Sequence, residues 1–166
     1  MLGDGASLQN ILDSYFDTVH KWMPIVSKKR IAVNMANPHW VWGPDTALLY
    51  LCMKLVCSRP QDGVESSQNQ SYMSAKRFLS LVEATGTVSL LVLQAALLVF
   101  WYEYGQAIYP AAYMSAGWCE RYGILLGING HSSAYEMLGR SVCGVCLVLG
   151  MWLTNNLGNM DRTRGT

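Results

Sequence analysis

Cys143 and Cys146 form a C-x-x-C step, a spacing that can hold zinc or run thiol–disulfide exchange. Zinc needs a second cysteine or histidine pair nearby, and redox work needs a helix N-terminus to lower a thiol pKa. This pair has neither, because it sits inside the apolar run "VCGVCLVLGMWL" (142–153); it reads as packed thiols. His20, His39 and His131 are scattered and lack carboxylates at motif spacing. There is no G-x-S-x-G, H-E-x-x-H or phosphate-cradling glycine loop, and "GILLGINGH" (123–131) closes a helix rather than following a strand. Glu103 and Glu120 have the right chemistry for proton transfer, yet nothing in the sequence pairs them. No catalytic residue, metal ligand or cofactor is expected, and the chain is not expected to be an enzyme.

Two other groups carry chemistry. Lys28, Lys29 and Arg30, with Lys21 nearby, have the charge to meet phosphate, but three cations at a helix start read as a solvated face, and reading DNA takes a larger basic footprint. Trp101, Tyr102, Tyr104, Tyr109, Tyr113, Trp118 and Tyr122 crowd the end of one apolar segment and the body of the next. Such side chains join a large apolar area to a polar tip, so they build either a core where helices cross or a groove for a ligand or partner. They are the candidate binding residues.

The 166 residues that position these groups are long enough for one domain with a real core. Hydrophobic residues make up 51% and charged residues 14%, against about 25% charged in ordinary globular chains. So few charges leave a lone soluble monomer short of polar cover, and a partner or an assembly is expected. The net charge of +1 sets up no field for nucleic acid or anionic lipid. "TVSLLVLQAALLVFWY" (87–102) is broken by Gln94 and followed by Glu103, and a spanning helix wants about 20 apolar residues; no membrane insertion is expected. The N-terminus lacks the charged and apolar regions of a signal peptide. Five cysteines, an odd number and mostly in apolar stretches, fit a reducing compartment.

The pattern is helical throughout. Leu8, Ile11, Leu12, Tyr15, Phe16 and Val19 keep helical spacing after Ser7, with Pro24 as the stop. A second helix starts at Ser27, and Pro44 opens a third over 45–57. A polar loop (58–71) leads to an amphipathic helix over 72–86, built on Tyr72, Phe78, Leu81 and Val82 and ended by Gly86. Residues 89–105 are apolar on all sides, which marks a central helix. After Pro110, Ala111, Met114, Trp118, Tyr122 and Leu125 form a stripe, with small residues allowing close approach. A last apolar helix covers about 134–153, before a polar tail. The expected fold is all-α: one domain over 1–159 of about six or seven packed helices, and a tail over 160–166.

"YFDTVHKWMPIVSKKRI" (15–31) adds a further signal: an aromatic pair, a histidine, an aromatic–Pro–Ile step and a basic–apolar end. It resembles the entry motif of the fungus-specific transcription factor domain, the middle homology region. The likeness continues through "ALLYLCMKLVCSRP" and "YMSAKRFLSLVEATG". It is especially close over "LLVLQAALLVFWYEYGQAIYPAAYMSAGWCERYGILLGI", which looks like regulators that often sit in fungal metabolite gene clusters. The ordered series is specific and covers about residues 8 to 159.

The resemblance implies an all-helical regulatory region, normally downstream of a six-cysteine binuclear zinc cluster. Cys52, Cys57, Cys119, Cys143 and Cys146 have the wrong count and spacing for that cluster, so direct sequence-specific DNA binding is not carried over. In "YEMLGRSVCGVCLVLGMWLTNNLGN" only Glu136 and Arg140 keep the family's charges, and Gly150–Met151 replace its Asp–Arg; a shortened or divergent member is expected. On this resemblance the chain is expected to be a non-catalytic, transcription-regulator-like protein of the nucleus, tied to gene expression, including secondary-metabolite clusters. It would act through a protein partner (self-association or a full-length regulator) or a small apolar effector. The rivals are a repurposed helical protein that binds or transforms a small apolar molecule, and a degenerate remnant without function.

Overall fold

The computed structural model of the chain describes residues 5–37, 43–59 and 65–128, and these are all-α: six helices, two short 3-10 turns and no strand. The apolar run at 142–153, the pair Cys143 and Cys146, His39, His131 and the 160–166 tail lie outside the described residues.

Helix α1 (Gly5–Asp17) turns Ile11, Leu12, Tyr15 and Phe16 inward. It begins two residues before Ser7, which therefore lies inside the first turn, where backbone N–H groups have no helical partner in any case. It also ends well short of Pro24. The Thr18 amide still closes a helical bond to the Ser14 carbonyl, its Oγ1 shares that acceptor at 2.6 Å, and a 3-10 turn over Val19–Lys21 comes next. Helix α2 (Lys28–Ala36) starts where Ser27 Oγ accepts the Arg30 amide, and it buries only Ile31.

Pro44 opens α3 (Pro44–Cys57), whose side chains from Leu48 to Met53 are buried. An added Cβ at Gly43 would stand 2.6 Å from Asp45 Oδ1, so a larger residue there would displace the carboxylate that holds the Thr46 amide and Ser89. Asn69 caps α4 (Gln70–Ala84) by accepting the Ser71 and Tyr72 amides, and Gly86 leaves it at φ +69°. Of the stripe expected on α4, Tyr72 and Val82 are buried and Phe78 half-buried, whereas Leu81 faces outward.

Helix α5 (Leu90–Gly105), capped by Ser89 on the Val92 amide, is the axis of the domain. It packs on α3, α4 and α6 (Tyr109–Leu125), while α3 also carries α1 and α4. Residues 92–100 of α5 are all buried, as all-round apolarity demands. Its polar Gln94 is satisfied by donating Nε2 to the Ile25 carbonyl at 2.6 Å, which pins the segment after the 3-10 turn onto the axis.

Helix α6 corrects one expectation. Its inward face is Ala112, Ser115, Ala116, Cys119, Tyr122 and Gly123, while Met114 and Leu125 are 66% and 65% exposed. The small side chains let α6 approach α5 closely, and that rotates the larger apolar ones away. One hydrophobic cluster joins all these elements. No described helix is long and apolar enough to cross a membrane.

Candidate functional site

The seven aromatic candidates do not form one group. Trp101 and Tyr104, on the last turns of α5, meet edge to face with ring centroids 5.8 Å apart, and Trp22 lies edge-on to Trp101 at 5.6 Å. Tyr102 points elsewhere: it stacks on Tyr72 of α4 at 5.4 Å and donates its hydroxyl to the Ser66 carbonyl. Trp118 stacks on Tyr122 at 4.5 Å, donates Nε1 to Glu83, and leaves Tyr122 to bind the Thr87 carbonyl and the Ser89 amide ahead of α5. Tyr109 and Tyr113 are exposed on the outer face of α6. The likeness in residue type therefore conceals three settings: a cluster at the end of α5, a strut between helices, and a solvent-facing edge.

The first setting encloses space. A half-open cavity of about 340 Å³ lies between Trp101, Tyr104 and Gly105 of α5, Val19, Trp22 and Met23 of the first turn, and Val56 at the end of α3. None of the side chains around it is charged. Among its polar groups, Ser58 donates to the Leu55 carbonyl, Tyr102 to the Ser66 carbonyl, and Gln106 accepts from Ser66. The Trp101 indole N–H is buried with no acceptor. Sequence reasoning does not single out Trp22, Val19, Met23 or Val56 as site residues. The signal is present in the tryptophan–methionine–proline step, which places an aromatic on a segment too short to bury it.

Sequence reasoning also misses the most polar buried feature. Glu103 has no exposed surface, and it is paired: Oε1 accepts the Tyr72 hydroxyl at 2.8 Å and meets Lys76 Nζ at 2.9 Å. Lys76 also donates to Ser115 Oγ of α6, so three helices meet on one charge pair. Glu103 Oε2 is buried without a partner. Burial first, then the bond to Glu103, hold the Tyr72 phenol well above its ordinary range. The arrangement ties helices together; with the carboxylate sealed from solvent it offers no approach for a substrate. Glu120 is exposed.

The cluster around His20 is structural as well. His20 packs against Phe16 at 4.9 Å and Tyr15 at 6.0 Å, and Lys28 Nζ sits 5.4 Å above the Phe16 ring. Burial, then Lys28, lower the His20 pKa, so the imidazole packs neutral. Lys28, Lys29 and Arg30 are exposed at the start of α2. Cys52 is fully buried, and burial raises its thiol pKa, which leaves it inert at neutral pH. Among the described residues no group of three or more His, Cys, Asp or Glu could hold a metal ion.

Fold and site together define a small all-α domain whose described buried charges serve packing, with an uncharged aromatic cavity. Over 131 residues the chain is 40% identical to Transcription factor BOA15 of Botryotinia fuckeliana, a match covering 77% of this chain and 70% of that protein, and it belongs to that transcription-factor family. No protein-family profile matches the chain, and no solved structure does so.

Proposed function

We propose that the chain is a non-catalytic transcription regulator of the middle homology region type that works in the nucleus through protein contacts, with a second copy of itself as the partner. The family membership supports the regulatory role. The likeness of residues 90–128 to regulators of metabolite gene clusters supports a part in secondary-metabolite gene expression. DNA reading is left to another protein.

The outer face of α6 carries the proposed contact. At 100° per residue, Met114, Ile124 and Leu125 fall on the side away from the buried Ala112, Ala116 and Cys119, with exposed Tyr113 at its flank. Gly117 lies mid-strip and half-buried, with the Arg121 guanidinium folded over it and the exposed Glu120 beside. A two-fold pair must place the same surface on both subunits. An antiparallel crossing of two α6 helices near Gly117 does this: it sets Tyr113 of one copy against Arg121 of the other, and Met114 against the stem of Glu120.

Two measurements test the reading. Light scattering should find a dimer that Met114→Glu with Ile124→Lys converts to monomer, with the circular dichroism spectrum unchanged because both residues are exposed. Fused to a heterologous DNA-binding domain in a fungal reporter strain, the parent should alter transcription and concentrate in nuclei. A parent that stays monomeric, or a fusion that leaves the reporter silent, refutes the corresponding half.

A further inference from the structure

We infer that the cavity at the end of α5 is a binding site for a flat, uncharged, largely apolar small molecule carrying one hydrogen-bond acceptor. Its size comes first: about 340 Å³ falls within the roughly 300–1,000 Å³ of small-molecule pockets. Its walls come second. Val19, Met23 and Val56 supply aliphatic surface, while Trp22, Trp101 and Tyr104 supply ring faces and edges. A planar conjugated molecule gains most from such a lining, through offset and edge-to-face contacts. No charged side chain lines the cavity, so an ion would lose its hydration there without compensation.

The polar inventory sets the remaining specificity. Ser58 and Tyr102 spend their hydroxyl protons within the protein, and the Gln106 side-chain oxygen accepts from Ser66. The Trp101 N–H, by contrast, is buried without an acceptor, which costs the unliganded fold free energy. Trp22 and Tyr104 wall in that indole edge to face. Trp22 is the movable wall, since it is 62% exposed and sits just past a 3-10 turn. Swung outward, it admits a ligand whose carbonyl or ether oxygen takes the Trp101 proton, and it can close over the ligand's face. The site shares no residue with the outer face of α6 and stands independently of self-association.

Fluorenone, flat and uncharged with one carbonyl, tests this against fluorene, which has nearly the same shape and no acceptor. Titrated into the full chain, fluorenone should quench tryptophan fluorescence saturably at one site per chain. It should bind about fivefold tighter than fluorene, the advantage of one net hydrogen bond. Trp101→Phe should bring the two ligands level while both still bind. Gly105→Phe should abolish both, because Gly105 lines the cavity and nothing stands within 4 Å of where its Cβ would be. Circular dichroism establishes that both variants fold. Absence of saturable binding, equal affinities in the parent, or binding that survives Gly105→Phe would each overturn the assignment.

Discussion

Replacing Lys76 with methionine should destabilise the chain far more than an exposed lysine ordinarily would. The substitution keeps most of the side chain's apolar volume and removes the charge that faces Glu103. At 2.9 Å, two unit charges attract by about 6 kcal/mol at an effective dielectric constant of about 20. The Lys76 side chain is 35% exposed, so solvent screening takes roughly half, leaving about 3 kcal/mol. That loss is large beside the 5–15 kcal/mol or so that holds a typical domain together. Glu103→Gln should cost only about 1 kcal/mol, because the amide still accepts the Tyr72 hydroxyl and the freed lysine can turn to water. The asymmetry is the diagnostic: an orphaned buried carboxylate is costly, whereas an orphaned rim ammonium is not. Urea denaturation at pH 7, followed by circular dichroism, supplies the two values, and the double variant should be more stable than Lys76→Met alone. If Lys76→Met falls within about 0.5 kcal/mol of the parent, as ordinary surface changes do, or if Glu103→Gln is the costlier change, the pair does not carry the charge balance argued here.

Three further outcomes are expected. Ala116→Leu should cost about 1–3 kcal/mol in the same denaturation assay, because Ala116 is fully buried where α6 meets α5. Gln94→Met should cost about 1–3 kcal/mol by orphaning the Ile25 carbonyl, and hydrogen exchange should speed up over residues 23–26. The folded-state pKa of His20 lies below 6.5, so the unfolded chain takes up its proton first as pH falls. The stability His20 contributes is therefore present above pH 6.5 and lost below it; His20→Gln should flatten the melting-temperature profile between pH 7 and pH 5.

Local signals locate the helix boundaries well where the cap is a side-chain or backbone constraint: Ser27, Pro44, Gly86 and Pro110 each act within a turn of their own position. Pro24 misleads, because α1 has already given way to the 3-10 turn over Val19–Lys21. The facing of α6 is not legible from size and hydrophobicity, since close approach to α5 selects Ala112, Ala116 and Cys119 over Met114 and Leu125. The pairing of Glu103 is also out of reach. Tyr72 and Lys76 stand one helical turn apart on α4, but Tyr72 is 31 positions from Glu103, and only the packing of α4 on α5 brings them together. The crowding of aromatics near the α5–α6 junction is plain in the sequence, but their division among Trp22, Tyr72 and Tyr122 as neighbours is a property of three separate helix contacts.

The case for a partner rests on a different basis in the structure. In the sequence it rests on apolar helices at 45–57, 89–105 and 142–153, each needing cover on every side. The third lies outside the described residues. The first two have their cover: α5 is enclosed by α3, α4 and α6, and α3 by α1, α4 and α5. All-round apolarity in these helices reports a central position and says nothing about a missing neighbour. The unmet demand instead falls on α6, a helix that buries small residues and so gains modest apolar area per turn from its contact with α5, while leaving Tyr109, Tyr113, Met114, Ile124 and Leu125 in water. Packing among the described residues gives no reason for those large side chains to be apolar. Scattered exposed hydrophobics are ordinary; Met114, Ile124 and Leu125, turned away from α5, are the ones that a second copy would cover. Replacing Met114 and Ile124 by charged residues is therefore the sharper test of the partner. It should cost the isolated fold almost nothing and the dimer most of its affinity, whereas a purely internal role for α6 would show the reverse.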